Sequence, residues 1–269
     1  MQYLYSQTNV IRSRPARQTQ DPWVQITKPN PNAAIRLFCF PYAGGAAPIY
    51  RGWPELLPSF IEICAVQPPG RERRLHETPF TNLLAMVEAT GVALLPYMNR
   101  PFAFFGHSMG AWISFELTRY LRRRNLPKPI HIFASGCPAP HIKNRSAITH
   151  NLPQEEFIKE LRQLKGTPKE AFDHPGLMEL MLPLLRADFS VTGTYEFSDD
   201  EPLDVPVTVF GGTEDDHITQ PDLEAWRTHT TGAFALQMFP GDHFFIHSAQ
   251  SELLKALSHE VDQLAYSNR

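Results

Sequence analysis

Phe102-Ala103-Phe104-Phe105-Gly106-His107-Ser108-Met109-Gly110-Ala111 runs four apolar residues into a serine framed by glycines. The apolar run has strand character. Beyond it, Ile113, Leu117, Tyr120 and Leu121 recur at i, i+4, i+7 and i+8, the stripe of an amphipathic helix. Arg122-Arg123-Arg124 closes that helix with cations that suit the negative end of its dipole, so the triplet requires no nucleic-acid explanation. A strand that turns sharply into a helix through Gly-x-Ser-x-Gly lifts the serine oxygen clear of the backbone. The glycines two before and two after relieve the crowding. The plain alternative is a serine that caps the helix.

Working outward, the chain alternates short β-type runs with helical patterns. Ala34–Phe40, Ile61–Val66, Phe102–Phe105, Ile130–Ser135, Val205–Phe210 and Phe234–Phe239 are the strand candidates. Strands apolar on both faces and separated by helices imply a mostly parallel sheet flanked by helices, an α/β class. Such sheets place reactive groups at the carboxyl ends of their strands. Residues 150–195 break the alternation with helical patterns only, which reads as a lid inserted between two strands. The domain is expected over 32–269, preceded by a polar extension over 1–31 that drapes over the domain or stays mobile.

Composition limits the function classes. With 25 basic and 28 acidic residues the net charge is −3, which offers nucleic acid no clustered positive face. Cys39, Cys64 and Cys137 are odd in number, far apart and within apolar runs. They read as buried thiols in a reducing, cytoplasmic setting rather than as a disulfide framework or metal site. No run approaches the ~18 apolar residues of a membrane helix, and the start lacks the apolar stretch of a signal sequence.

A serine nucleophile needs a base, an acid that orients the base, and donors for the oxyanion. Gly211-Gly212-Thr213-Glu214-Asp215-Asp216-His217 follows one strand and Pro240-Gly241-Asp242-His243 another, so both reach the same sheet edge as Ser108. His243 is the chosen base, since His217 lies too close to the acid and His247 falls within the following helix. Asp215 is preferred as acid over its neighbour Asp216, which would point differently around the same turn. For the oxyanion, the Met109 amide stands at the helix start. The Ala43 amide lies in the glycine-containing loop that follows the strand Ala34–Phe40. No metal or redox cofactor is called for.

Phe38–Ala47, Val66–Arg74, Phe102–Ala111, Phe133–His141, Leu182–Phe189, Val209–Ile218 and Phe239–Ile246 together resemble, in order, the type II thioesterases of nonribosomal peptide and polyketide synthetases. That family lies within the α/β-hydrolase superfamily, and the likeness covers about residues 33–262. It implies the α/β-hydrolase fold with a helical lid, and the same roles for Ser108, Asp215, His243, Ala43 and Met109. It also implies the substrate, an acyl group held as a thioester on the phosphopantetheine arm of an acyl or peptidyl carrier domain. The carrier would be a transient partner of a monomeric enzyme.

Two features carry weaker expectations. Arg71, Arg73 and Arg74 are candidates for the pantetheine phosphate or an acidic carrier face, against a simply solvated loop. Leu177, Leu180, Met181, Leu184 and Leu185 are candidates for an acyl channel, against plain helix packing. Three rivals share part of the pattern: a medium-chain fatty acyl-carrier thioesterase, a general carboxylesterase, and a noncatalytic carrier-binding module.

Overall fold

The computed structural model describes residues 22–142, 149–164, 166 and 169–267. Seven strands form one sheet: β1 (Val24–Gln25), β2 (Ile35–Phe40), β3 (Ile61–Val66), β4 (Phe102–His107), β5 (Ile132–Ser135), β6 (Val207–Gly212) and β7 (Phe234–Phe239). Their order is β1-β3-β2-β4-β5-β6-β7, with every neighbouring pair parallel except β1 with β3. The helices are α1 (Leu83–Leu94), α2 (Met109–Arg123), α3 (Gln154–Leu164), α4 (Lys169–Phe172), α5 (Pro175–Gly193), α6 (Gln220–Glu224), α7 (Phe245–Ser248) and α8 (Gln250–Ser267). None among the described residues is long and apolar enough to cross a membrane.

Alternation along the strands builds two cores. Phe38, Phe40, Phe102 and Phe104 face α1 and α2, while Leu37, Cys39, Ala103 and Phe105 face Trp53, Tyr50 and α8. Edge-to-face contacts knit the first set, with Phe40 and Phe104 ring centroids 5.3 Å apart at 87°. All three cysteines are buried and free, as their apolar surroundings imply. Helices α3, α4 and α5 lie between β5 and β6 without an intervening strand and close on a separate core of Phe157, Leu161, Met178, Leu182 and Leu185.

The structure refines the sequence reading at three places. Residues 22–31 include a stretch that packs onto the domain. Val24 pairs with Val66 across an antiparallel edge, Gln67 N–H donates to Trp23 O at 2.8 Å, and the Arg74 guanidinium lies 4.3 Å from the Trp23 ring. The remainder of the expected extension, 1–21, lies outside the described residues. Strand β6 begins at Val207 because Pro206 has no N–H to give a ladder. Helix α2 is buried almost all round, since Tyr195 and the chain after it cover its expected polar face. There Arg119 bonds Glu116 at 2.6 Å, and Tyr195 Oη donates to the same carboxylate at 2.7 Å. Of the basic triplet, Arg122 and Arg123 pair with Asp200, and Arg124 with Glu88.

The strand-to-helix turn works only because two residues lack a Cβ. A methyl on Gly106 would sit 2.0 Å from the Gly110 carbonyl oxygen, and one on Gly110 would sit 2.2 Å from that of Phe40. Both obstacles are backbone and cannot rotate away. Gly106→Ala should therefore cost stability at or above the upper end of the ~1–3 kcal/mol typical of overpacking. Urea unfolding checks this through a lowered midpoint at unchanged slope.

Candidate active site

Four loops meet at the carboxyl edge of the sheet. Ser108 directly follows β4, the turn Tyr42–Gly45 follows β2, Asp215 follows β6 and His243 follows β7. The register of β2 against β4 sets Phe40 beside Gly106, which brings the Ala43 turn next to Ser108.

Ser108 adopts φ 53° and ψ −118°, a conformation rare for a residue with a side chain, and its N–H donates to Ser135 O at 2.7 Å. Strain of this kind costs about 1–3 kcal/mol and persists where the surroundings impose it. Its hydroxyl makes no capping bond to α2, which removes the plain alternative of a capping serine. The Ala43 and Met109 amides border the same cavity and have no protein acceptor among the described residues.

His243 Nδ1 donates to Asp215 Oδ2 at 2.7 Å, which leaves Nε2 with its lone pair. The other Asp215 oxygen accepts from the amides of His217 at 2.9 Å and Ile218 at 3.2 Å. Burial raises the Asp215 carboxyl, but the His243 hydrogen bond, that ring's charge and the two amides outweigh it. The group ends below its ordinary value. Asp216 is exposed and takes no part. Ser108 and His243 line one cavity, with no hydrogen bond between their side chains in this state.

His107, absent from the sequence reading as a functional group, supports the base from behind. It is fully buried, and its Nε2 must carry the proton because it donates to the carbonyl of His243 at 2.9 Å. Nδ1 then accepts from Ser135 Oγ at 2.9 Å. Burial, aided by the nearby His243, holds this imidazole well below its usual range and therefore neutral. His247, on α7, bonds Tyr42 Oη at 3.0 Å through Nε2, so that nitrogen is engaged there.

The cavity holds about 130 Å³ and is walled mainly by Trp112, Leu161, Leu164, Leu185, Phe189 and Phe244. Of the expected acyl-channel residues only Leu185 lines it. Leu177 and Leu180 face solvent, and Met181 and Leu182 pack within the core of the helical insertion. The cavity-facing positions of α5 are Leu185 and Phe189, about one and two turns beyond Leu182, and both also pack with the core of the insertion.

The arginine expectation is corrected as well. Arg71 and Arg74 are buried, 2% and 5% exposed, and their groups are consumed inside the protein. Arg71 forks onto Asp188, and Arg74 bonds Glu77 and the Gln67 carbonyl. Arg73 alone of the three is exposed. Asp188 was missed by sequence reasoning, although a lone carboxylate one turn beyond Leu184 and Leu185 in an apolar stripe signals a buried partner. Among the described residues no group of three His, Cys, Asp or Glu side chains is placed to hold a metal.

The thioesterase domain family matches residues 35–261. Linear gramicidin dehydrogenase LgrE of Brevibacillus parabrevis is 48% identical over 235 residues, covering 86% of this chain and 89% of LgrE. Gramicidin S biosynthesis protein GrsT of Aneurinibacillus migulanus is 45% identical over 239 residues, covering 89% of this chain and 93% of GrsT. Among solved structures, the RedJ thioesterase from the prodiginine pathway of Streptomyces coelicolor superimposes with a TM-score of 0.82 at 37% identity, covering 95% of this chain and 100% of that one. With a strained serine, a paired histidine and aspartate, and a family match over most of its length, this chain belongs to the thioesterase domain family.

Proposed function

We propose that this protein is a type II thioesterase that hydrolyses acyl groups from the phosphopantetheine arm of carrier domains in nonribosomal peptide or polyketide synthetases. The observation that carries this reading is the His243–Asp215 pair set across one apolar cavity from a serine held out of the backbone by a strained turn. The relation to GrsT supports the setting in peptide biosynthesis, and that to RedJ supports the thioesterase reaction.

Ser108 Oγ attacks the thioester carbonyl as His243 Nε2 takes its proton. The oxygen of the tetrahedral intermediate receives the Ala43 and Met109 amides, which no other acceptor occupies. A thiolate leaves readily, so the collapse needs little acid assistance, and a water deprotonated by His243 then releases the acid. Asp215 fixes the Nδ1–H tautomer and steadies the imidazolium without taking the proton. Closure of the Ser108–His243 hydrogen bond belongs to the substrate complex, as in other sites whose catalytic contacts tighten on binding.

Cavity size favours short acyl groups. About 130 Å³ is close to the ~150 Å³ that accepts a benzene-sized guest, and most of the wall around it is apolar. This favours the editing reading over a medium-chain fatty acyl thioesterase. The helical insertion would act as the lid over this space, and the carrier would dock transiently on a monomer.

The test compares kcat/KM for a short acyl group on a phosphopantetheinylated carrier domain with that for a small oxygen ester. Preference for the carrier, abolished in Ser108→Ala, is expected. Equal use of the ester moves the function to a general carboxylesterase, and failure to label with a fluorophosphonate moves it to a noncatalytic carrier-binding module.

The two neighbouring carboxylates should separate cleanly. Asp215→Asn should lower kcat by about 10⁴-fold through the wrong tautomer, while Asp216→Asn should stay near wild type in the same assay. Because the folded Asp215 value is lowered, its contribution to stability is complete above the unfolded value of ~3.9 and is lost as pH falls through the lowered one. Asp215→Asn should therefore weaken the pH dependence of unfolding below about pH 4, read by thermal melts across that range.

A further inference from the structure

Arg71 and Asp188 face each other at the back of the Tyr42–Gly45 turn, 2% and 0% exposed. Arg71 Nη2 donates to Asp188 Oδ1 at 2.8 Å and Nη1 to Oδ2 at 3.1 Å. Each partner also holds the turn. Asp188 Oδ2 accepts from the Gly44 amide at 2.7 Å, and Arg71 Nη1 donates to the Gly45 carbonyl at 2.9 Å.

The turn itself is of the type that requires glycine at its third position. Gly45 N–H donates to Tyr42 O at 2.8 Å, and Gly44 has φ +76°. Ala43 precedes Gly44 directly, so the carboxylate sets the plane of the peptide that follows the Ala43 amide. Leu185, one turn before Asp188 on α5, closes the gap, since a Cβ on Gly44 would meet it at 2.6 Å. Gln67 secures the far side, accepting from Ala47 N at 2.7 Å and donating to the Arg71 carbonyl at 3.0 Å.

Stability alone does not account for such a pair. Two buried charges lose hydration that an apolar pair of the same volume would never need, so the arrangement is a poor way to gain stability. What it does supply is direction, because a bidentate fork admits one geometry.

We propose that Arg71 and Asp188 are positioning residues that hold the Ala43 amide in its oxyanion-accepting orientation and tie it to helix α5. The helical insertion thereby contributes to transition-state stabilisation as well as to the cavity wall. This inference rests on the assignment of Ala43 as an oxyanion donor in the proposed thioesterase.

The test uses the full-length protein with an acyl-carrier thioester, active sites counted by titration. Arg71→Met/Asp188→Leu replaces the pair by an apolar one and strips the Gly44 amide of its acceptor. Its kcat should fall about 30- to 300-fold, with KM and melting temperature near wild type, and the rate of fluorophosphonate labelling, which also needs the oxyanion donors, should fall in parallel. Asp188→Asn keeps one oxygen for Gly44 and should recover much of the loss. A folded double variant with wild-type kcat and labelling rate per active site overturns the inference.

Should the double variant not fold, Arg71→Lys keeps the charge beside Asp188 but loses the fork. A kcat reduced about tenfold at unchanged KM is expected, and a wild-type kcat overturns the proposal. Failure of the underlying reading looks different, because wild-type protein would then not hydrolyse the thioester at all, or Ser108→Ala would retain the activity.

Discussion

Everything at the carboxyl edge of the sheet depends on how closely α2 crosses the two strands beneath it. A methyl on Gly106 or Gly110 would lie 2.0 or 2.2 Å from a backbone oxygen, the second of them on β2. That contact fixes the height of Ser108 over the sheet and also its distance from the loop that leaves β2. The strain at Ser108 is sustained because α2 is buried on nearly every side, so the helix cannot lift to relax it.

Polar groups near this edge are held without exposed charge. His107 is kept neutral by burial and spends both ring nitrogens on Ser135 and the His243 carbonyl. Gly136, at φ +57°, lets β5 end against that ring, where a Cβ would come within 2.7 Å. The base is thus fixed through its backbone by a buried neutral histidine and through its side chain by Asp215. One support sets where the ring stands and the other sets which nitrogen carries the proton.

Much of this was legible in the sequence, and the limits of that legibility have physical causes. Apolar runs and glycine spacing mark β4 and the turn because strand burial and backbone crowding act on neighbouring residues. Asp215 was readable as one of two candidates, and three hydrogen bonds, which only the folded turn supplies, separate it from Asp216. Arg71 and Asp188 are 117 residues apart, so no local pattern shows that one completes the other. Arginines in a loop read as solvated until the chain that buries them is in place. The strand pairing of Val24 was not legible for the same reason, since an edge pair with β3 is a long-range event.

Helix α5 belongs to two cores at once, and this division bears on how the insertion is held. Met178 and Leu182 lie in the cluster shared with α3 and α4, whereas Val191 is part of the core beneath α1 and α2. Pro183 removes one helical hydrogen bond within the stretch that joins the insertion core, which continues past it through Leu185 and Phe189. Asp188 lies on the far side of that proline, anchored to Arg71 and Gly44 with no exposure. Phe157 of α3 meets the Phe189 ring at 5.7 Å and the Arg186 guanidinium at 4.5 Å, so α3 is bound to the half of α5 beyond the proline. Displacing the whole of α5 would break a buried ion pair, and each separated charge would then face the desolvation penalty alone. The second half of α5 is thereby tied at once to α3 and to the turn that carries Ala43.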